Sequence, residues 1–151
     1  MRNEKKVVIT YGTFDLFHIG HLRLLQRARE LGDYLIVAVS TDEFNRSKHK
    51  ETVIPYEQRA EIVHNVQGVD EVIAECNWEQ KQSDIIQYDV DIFVMGGDWR
   101  GHFDFLDTLC QVSYLERTPD ISTTLLKSHV KSDRRVATLQ LSNDDLLGVP
   151  A

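Results

Sequence analysis

Short, almost wholly apolar runs alternate along the chain with segments in which apolar residues recur every three or four positions. The run Tyr34–Ser40 (YLIVAVS) is typical of a strand that is covered on both faces. The segment before it carries apolar residues at helical spacing and stops at Gly32. Its apolar positions are Ile19, Leu22, Leu25 and Ala28. This alternation predicts strands connected by amphipathic helices.

The same criteria give a complete set of predicted elements. We predict strands at Lys6–Tyr11, Tyr34–Ser40, Val69–Ala74, Asp91–Met95 and Gln111–Leu115. We predict helices at His18–Leu31, Pro55–Val66, Trp78–Tyr88 and Ser122–Val130. Alternation in units this short favours the α/β class, as a single-domain, Rossmann-like doubly wound parallel sheet of about five strands with flanking helices. The domain is expected over residues 1–131, and residues 132–151, which lack a clear period, are predicted to be a tail that is loose or docked on a partner.

Composition narrows the classes of function. The 151 residues suit one domain, and a net charge of -7 argues against a general binder of nucleic acid or of anionic membranes. No apolar run reaches the roughly 18 residues of a membrane helix, and the N-terminal residues lack the apolar stretch of a signal peptide. With only Cys76 and Cys110 as thiols, we expect a cytoplasmic protein with reduced cysteines.

Polar, glycine and basic residues follow four of the predicted strands. These segments read GTFDLFHIGH, TDEFNRSKHK, GGDWRGHFDF and ERTPDISTT. In an open parallel sheet, ligands bind beyond the carboxyl ends of the strands, where the strand order reverses. The four segments are therefore expected to converge on one site.

His18 and His21 lie three residues apart where the first strand leads into a helix. On one helix face, with Gly20 between them and the helix N-terminus beside them, two imidazoles would make a phosphate cradle. The same spacing is compatible with a capped helix that carries two surface histidines. A zinc pair is a third interpretation, for which the sequence offers no obvious third ligand.

Three further segments carry candidate binding groups. Arg117 offers a planar fork of donors for phosphate, and Ser122 to Thr124 would either bind a ligand or only cap a helix. The basic stretch Arg46–Lys50 is either a ligand loop or a solvated surface, and Arg59 would reach the same region or form a surface ion pair. Asp98 could accept a hydrogen bond from a nucleobase beside Trp99, whose commoner role is packing, the role we also assign to Trp78.

These motifs resemble those of a known enzyme family. GTFDLFHIGH is similar to the G-x-F-D-x-x-H-x-G-H signature of the small cytidylyltransferases of the HIGH-motif nucleotidyltransferase superfamily, and RTPDISTT to their R-T-x-x-I-S-T-T signature. DEFN, YEQR, VDEV, NWEQK and VMGGDW resemble the glycerol-3-phosphate cytidylyltransferases in particular. The match covers about Val7 to Lys131. It implies transfer of CMP from CTP to sn-glycerol 3-phosphate, giving CDP-glycerol for teichoic-acid or related polymers, and pyrophosphate.

The resemblance also implies roles for individual residues. The catalytic residues would be His18, His21, Lys50 and Arg117. Nucleotide contacts would come from Thr13, Phe14, Gly20, Asp98, Trp99, Thr118, Ile121, Ser122, Thr123 and Thr124. Acceptor contacts would come from Lys48, Arg59 and Lys81. Mg2+ would bind mainly through the CTP phosphates, without protein ligands, and the enzyme would be a homodimer with no nucleic-acid or membrane partner.

Some positions depart from the family pattern. Pro119-Asp120 replaces a frequent glutamate-glycine, and Gly97 stands where an acidic residue is common. Both touch nucleotide-side loops and leave the acceptor and base preference open. The alternatives are another phosphorylated acceptor, such as phosphoethanolamine or phosphocholine, ATP as the donor, or a nucleotide-binding module without catalysis.

Overall fold

A central parallel sheet organises the computed structural model, which describes residues 4–117 and 122–131. Across these residues the chain forms five strands: β1 (Val7–Gly12), β2 (Tyr34–Ser40), β3 (Glu71–Glu75), β4 (Ile92–Gly96) and β5 (Gln111–Leu115). Their order in the sheet is β3-β2-β1-β4-β5, and every pair is parallel. The predicted doubly wound α/β fold is confirmed, and the order reverses between β1 and β4.

Five α-helices connect or follow these strands in the described part of the chain. They are α1 (Ile19–Glu30), α2 (Asp42–Ser47), α3 (Tyr56–His64), α4 (Gln80–Gln87) and α5 (residues 123–131). Two short 3-10 segments, Gly97–Trp99 and Asp104–Thr108, follow β4. The 132–151 tail lies outside the described residues, so its predicted character stays a prediction.

Alternating strand residues build a core on each face of the sheet. On one face Val8, Val37 and Val94 pack with Leu25 of α1 and Val63 of α3. On the other face the buried residues are Ile9, Tyr11, Ile36, Ala38, Phe93 and Met95, with Ile85 of α4 and Leu106. Burial on both faces explains why β2 and β4 are continuously apolar in sequence. This two-sided core holds the carboxyl ends of the strands in fixed positions.

The structure differs from the predicted elements mainly after β2. The segment that we interpreted as a basic loop begins with the helix α2, which Thr41 caps by accepting a hydrogen bond from the Phe44 amide. A helix of six residues is too short to show a clear apolar period. Helix α4 begins at Gln80 rather than at Trp78, and the Asn77 side chain accepts a hydrogen bond from the Gln80 amide just before it.

Two further features bear on the sequence-based expectations. Cys76 and Cys110 are both free thiols. Within residues 4–117 and 122–131 no helix is long and apolar enough to cross a membrane.

Candidate active site

A cavity of about 320 Å³ opens at the carboxyl ends of β1, β4 and β5. It lies at the point where the strand order reverses, which is where open α/β sheets bind ligands. The convergence predicted from the sequence is confirmed for the segments after β1, β4 and β5. The segment after β2 reaches the cavity through Lys50.

The two histidines at the start of α1 form a stacked pair on the cavity wall. Their ring centroids are 3.9 Å apart, and both residues line the cavity. Nδ1 of His18 accepts a hydrogen bond from the Gly20 amide nitrogen at 2.9 Å, and Nδ1 of His21 accepts one from the His18 amide nitrogen at 3.2 Å. Capping and ligand binding, which the sequence left as alternatives, are therefore compatible, because each ring caps the helix with one nitrogen and keeps the other.

These hydrogen bonds also fix the protonation pattern of the pair. A ring that accepts at Nδ1 carries its proton on Nε2 when it is neutral. Burial, followed by the neighbouring charge of His18, lowers the pKa of His21 to about 4. Burial, followed by the charge of Arg117, also lowers the pKa of His18. At neutral pH the pair therefore offers two Nε2–H donors without a net charge.

The role expected for the helix amides needs a correction. We expected the first amides of α1 to face an anion beside Gly20. The Gly20 and His18 amides instead donate to the two imidazoles. The imidazoles therefore take the place of these amides as donors, although Gly20 does line the cavity as predicted.

The loop between β1 and α1 has an unusual backbone. Phe14 and Leu16 have φ values of 54° and 48°, in the left-handed region that side chains other than glycine rarely adopt. A Cβ on Gly12 would lie 2.8 Å from the ring of Phe14, so this close approach requires glycine. Strained backbone of this kind concentrates at functional sites. Here it brings Thr13 and Phe14 to the cavity.

Asp15 connects this loop to two distant segments, a role that the sequence analysis did not identify. Its carboxylate accepts the amides of Val53 and Ile54 and lies 3.3 Å from Nζ of Lys127 in α5. Thr123 donates its hydroxyl to the Asp15 carbonyl at 2.7 Å. Burial alone would raise the pKa of Asp15, but these hydrogen bonds and Lys127 hold it below its usual value. Asp15 therefore fixes α5 over the cavity.

The segments after β4 and β5 and the start of α5 carry the other residues that we predicted to contact the nucleotide. Arg117 lines the cavity, and its guanidinium lies 2.5 Å from the Asp98 carboxylate in an exposed pair. Ser122 caps α5 by accepting the Leu125 amide. Thr118 and Ile121, with Pro119 and Asp120, lie outside the described residues, so their roles stay predictions. The remaining predicted nucleotide residues that line the cavity are Asp98, Trp99, Ser122, Thr123 and Thr124.

Lys50 is the second cation on the cavity wall. Its Nζ donates to the Thr13 hydroxyl at 3.3 Å, and that hydroxyl donates in turn to Asn45 of α2 at 3.4 Å. Burial, followed by the like charge of Lys127, lowers the pKa of Lys50. An anion in the cavity would therefore stabilise the charged ammonium.

The three predicted acceptor residues lie beside the cavity rather than on its wall. Lys48 is half-buried against Phe44 and Trp78, and Lys81 is 2% exposed with its Nζ 2.6 Å from the Glu75 carboxylate. Trp78, which we interpreted as a packing residue, is 44% exposed and contacts both lysines. The sequence carries no signal for these contacts, because Trp78 lies 30 positions from Lys48 and its contact with Lys81 depends on how the two side chains are turned.

Arg59 corrects the expectation of a surface ion pair. The residue is 0% exposed, and its guanidinium bonds the Asp42 carboxylate at 2.7 Å. It also donates to the carbonyls of Thr13, Ser40 and Ile54. With these donors engaged, Arg59 holds the ends of β1 and β2 together from behind the site.

Comparison with known proteins agrees with this geometry. Residues 9–129 match the family model described as cytidylyltransferase-like. The chain is 58% identical over 125 residues to the glycerol-3-phosphate cytidylyltransferase of Bacillus subtilis (strain 168), covering 83% of this chain and 97% of that one. It is also 58% identical to the enzyme of the same name from Staphylococcus aureus (strain NCTC 8325 / PS 47), covering 83% and 95%.

A solved structure supports the fold independently. The lipopolysaccharide core biosynthesis protein of Thermoplasma volcanium GSS1 superposes with a TM-score of 0.64 at 23% identity, covering 76% of this chain and 97% of that one. This likeness concerns the fold alone, whereas the sequence relatives match along nearly their whole length. The chain therefore belongs to the cytidylyltransferase-like family and, within it, to the glycerol-3-phosphate cytidylyltransferases.

Proposed function

We propose that the protein transfers CMP from CTP to sn-glycerol 3-phosphate and releases pyrophosphate. The observation that carries this proposal is the convergence of His18, His21, Lys50 and Arg117 on one cavity at the switch point of the sheet. The site brings together two anions that repel each other, and four groups that attract anions lower the cost of their approach. The identity to named glycerol-3-phosphate cytidylyltransferases supports this choice of substrates.

The reaction is an in-line displacement at the α-phosphorus of CTP. An oxygen of the acceptor phosphate forms the new bond to the α-phosphorus, and the bond from that phosphorus to the oxygen bridging to the β-phosphate breaks. The electron pair of that bond leaves with pyrophosphate. No general base is required, because the second pKa of a phosphate monoester is about 6 and the attacking oxygen is already ionised at neutral pH.

The histidine pair suits charge stabilisation better than proton transfer. A ring with a pKa of about 4 is neutral at pH 7 and has no excess proton to give to pyrophosphate. Its Nε2–H can still donate a hydrogen bond to the oxygens on which charge develops. Donors that are fixed before the reaction contribute most in such a site. His18 and His21 are fixed through their Nδ1 atoms.

The remaining cations divide between the two substrates. We propose that Lys50 and Arg117 contact the triphosphate, with Arg117 leaving its exposed partner Asp98 when CTP binds. Lys48 and Lys81 lie on the side of α2 and α4 and would attract the acceptor. Arg59 keeps Thr13 in position through its carbonyl and does not itself contact substrate.

We propose that Mg2+ binds through the CTP phosphates. Among residues 4–117 and 122–131, no group of three or more His, Cys, Asp or Glu side chains could hold a metal ion. The three carboxylates on the cavity wall, Asp15, Asp98 and Glu116, bond to backbone amides and cations instead. This donor set fits a metal carried by the nucleotide, where its charge would offset that of the phosphates.

The wider assignment is part of the same proposal. We propose a cytoplasmic homodimer whose CDP-glycerol serves teichoic-acid or related polymer synthesis, as the family resemblance implies. Sedimentation velocity measures the oligomeric state directly. A sedimentation coefficient of a monomer at micromolar concentration would contradict the dimer.

A panel of nucleotides and acceptors tests the reaction. The purified protein is mixed with CTP or ATP and with glycerol 3-phosphate, phosphoethanolamine or phosphocholine, and pyrophosphate release is measured. We expect efficient turnover with CTP and glycerol 3-phosphate. Strong turnover with phosphoethanolamine and none with glycerol 3-phosphate would contradict the acceptor. CTP binding without pyrophosphate release from any acceptor would favour a nucleotide-binding module.

A further inference from the structure

An aromatic cluster adjoins the cavity on the side of α2 and α4. It consists of Tyr11, Phe44, Trp78, Trp99 and Phe103. Trp78 lies 5.4 Å from Phe44 and 6.0 Å from Trp99, measured between ring centroids. Tyr11 and Trp99 also line the cavity, so the cluster and the cavity are continuous. Trp78 and Trp99 are 44% and 39% exposed, which leaves part of each ring open to a ligand.

Aromatic faces of this kind are typical binding sites for ammonium groups. In this cluster, however, a lysine of the protein already occupies them. Nζ of Lys48 lies 4.1 Å from the centroid of Phe44 and 5.2 Å from that of Trp78. Both distances are within the roughly 6 Å over which a cation and an aromatic ring attract each other.

Lys81 occupies the other rings of the cluster. Its Nζ lies 4.7 Å from the centroid of Tyr11, 4.8 Å from that of Trp78 and 5.5 Å from that of Phe103. Glu75 holds it there at 2.6 Å and also accepts the Ser40 hydroxyl at 2.8 Å. Because both members of this ion pair are buried, Lys81 cannot turn aside to make room for another cation.

The charges around Lys48 also disfavour a second cation at the rings. Glu75 is the carboxylate that acts on it, whereas Lys50 and Lys81 are like charges. Since Glu75 is already paired with Lys81, it offsets the charge of Lys48 only in part. An acceptor that carried its own ammonium group would meet like charges at four of the five rings, those of Tyr11, Phe44, Trp78 and Phe103.

We infer that Lys48 and Lys81 determine acceptor specificity, by occupying the aromatic faces and so excluding phosphomonoesters with an ammonium tail in favour of those with neutral hydroxyl groups. This inference rests on the proposed function. Lysine N–H groups can donate to the hydroxyls of a polyol, and the indole faces pack against its carbon chain. Like-charge contact costs several kcal/mol, which suffices for strong discrimination.

A simpler role would be that both lysines only bind the acceptor phosphate. All acceptors share that phosphate, so loss of a lysine would then lower kcat/KM for every acceptor to a similar extent. The inferred role instead changes the ratio between a neutral and a cationic acceptor. The two possibilities are separated by two acceptors of nearly equal size: 2-hydroxyethyl phosphate, which is neutral at its tail, and phosphoethanolamine, which carries an ammonium group.

The experiment measures kcat/KM for each acceptor with CTP, by pyrophosphate release. For the unmodified protein we expect 2-hydroxyethyl phosphate to be favoured by at least ~100-fold. In Lys48→Met, and separately in Glu75→Gln/Lys81→Met, we expect this ratio to fall by about tenfold or more. The double variant removes both charges of the buried pair, because Lys81→Met alone would leave Glu75 uncompensated.

Arg46→Met is the matched control, since it removes one positive charge from the same segment at an exposed position, where Arg46 pairs with Glu43. We expect its acceptor ratio to equal that of the unmodified protein. Circular dichroism and CTP binding by calorimetry report whether each variant folds. Equal use of both acceptors by the unmodified protein, or an unchanged ratio in both lysine variants, would overturn the inference while turnover remains. Absence of turnover with glycerol 3-phosphate in the unmodified protein would overturn the proposed function, and the inference with it.

Discussion

The proposed nucleotide side and the proposed acceptor side of the site differ in the groups that they offer to an anion. On the nucleotide side, His18 and His21 are neutral donors that backbone amides hold in a stack. On the acceptor side, Lys48 and Lys81 are charged groups that rest on aromatic rings. The histidine pair acts through hydrogen bonds in a fixed geometry, and the lysine pair acts through its positive charge.

This difference agrees with what each side has to do. Charge develops on the phosphates of the nucleotide during the reaction, and fixed donors stabilise such charge without rearranging. The acceptor carries its charge from the start, so permanent cations are suited to collecting it from water. Neutral rings also tolerate a separation of 3.9 Å, at which two imidazolium ions would repel each other.

The largest expected effect is on the histidine side. We expect His21→Ala to lower kcat by at least ~100-fold, because a donor to the transition state is lost. His21→Asn is the control variant, since its side-chain oxygen can still accept the His18 amide and keep the helix capped. Steady-state pyrophosphate release gives kcat for both, and a near-normal kcat in His21→Ala would contradict the assigned role.

The neutral state of His21 also makes stability depend on pH. The native state keeps a pKa of about 4, against 6.5 for an unperturbed histidine, so the unfolded state binds more protons between these values. The free energy of unfolding therefore decreases as the pH falls from about 6.5 to about 4, with a contribution of about 3 kcal/mol at most.

Urea unfolding at a series of pH values measures this effect. We expect the free energy of unfolding of His21→Asn to decrease less than that of the unmodified protein over this window. Other groups, such as Asp15, titrate in both proteins, so the difference between the two curves isolates His21. Parallel curves would contradict a buried neutral ring.

A smaller and more selective effect is expected on the acceptor side. We expect Lys48→Ala to raise the KM for glycerol 3-phosphate by about tenfold, equivalent to about 1.4 kcal/mol, and to change CTP affinity less. Lys48 lies over Phe44 and Trp78, outside the wall of the cavity that the histidines line, which is why the two substrates should respond differently. Initial rates at varied acceptor and calorimetric CTP titration provide the two values, and equal losses in both would refute this placement.

The smallest expected effect concerns the exposed ion pair of Arg117 and Asp98 at the cavity. The pair of Arg117 and Asp98 is 61% and 63% exposed, and exposed pairs contribute little to stability. We expect Asp98→Asn to change the free energy of unfolding by less than ~0.5 kcal/mol. Thermal unfolding measures this change, and a loss above ~1 kcal/mol would mean that the pair is structural rather than available to a ligand.

Much of the fold could be predicted because burial leaves a clear pattern in the sequence. The apolar run of β2 and the period of α1 give these elements directly. Helix α2 was missed because it is short and depends on the Thr41 cap and on packing of Phe44. Local hydrogen bonding of this kind leaves little periodic signal.

The motifs predicted many of the residues that line the cavity, but not how these residues are arranged. His18, His21 and Arg117 could be identified from their motifs, and all three reach the cavity. Arg59 could not be distinguished from a surface residue, because its four partners come from the loop after β1, the end of β2, α2 and the loop before α3. Contacts between segments far apart in sequence, such as Asp15 with Lys127, are set by the tertiary fold alone.

The most direct test of the whole account is a crystal structure of the protein with CTP bound. The central claim is that loops from separate strands form one anion-binding pocket around the stacked imidazoles. The account predicts phosphate oxygens within about 3.2 Å of Nε2 of both His18 and His21, with the Arg117 guanidinium turned towards them. A triphosphate that lies away from both imidazoles and from Arg117 would contradict it.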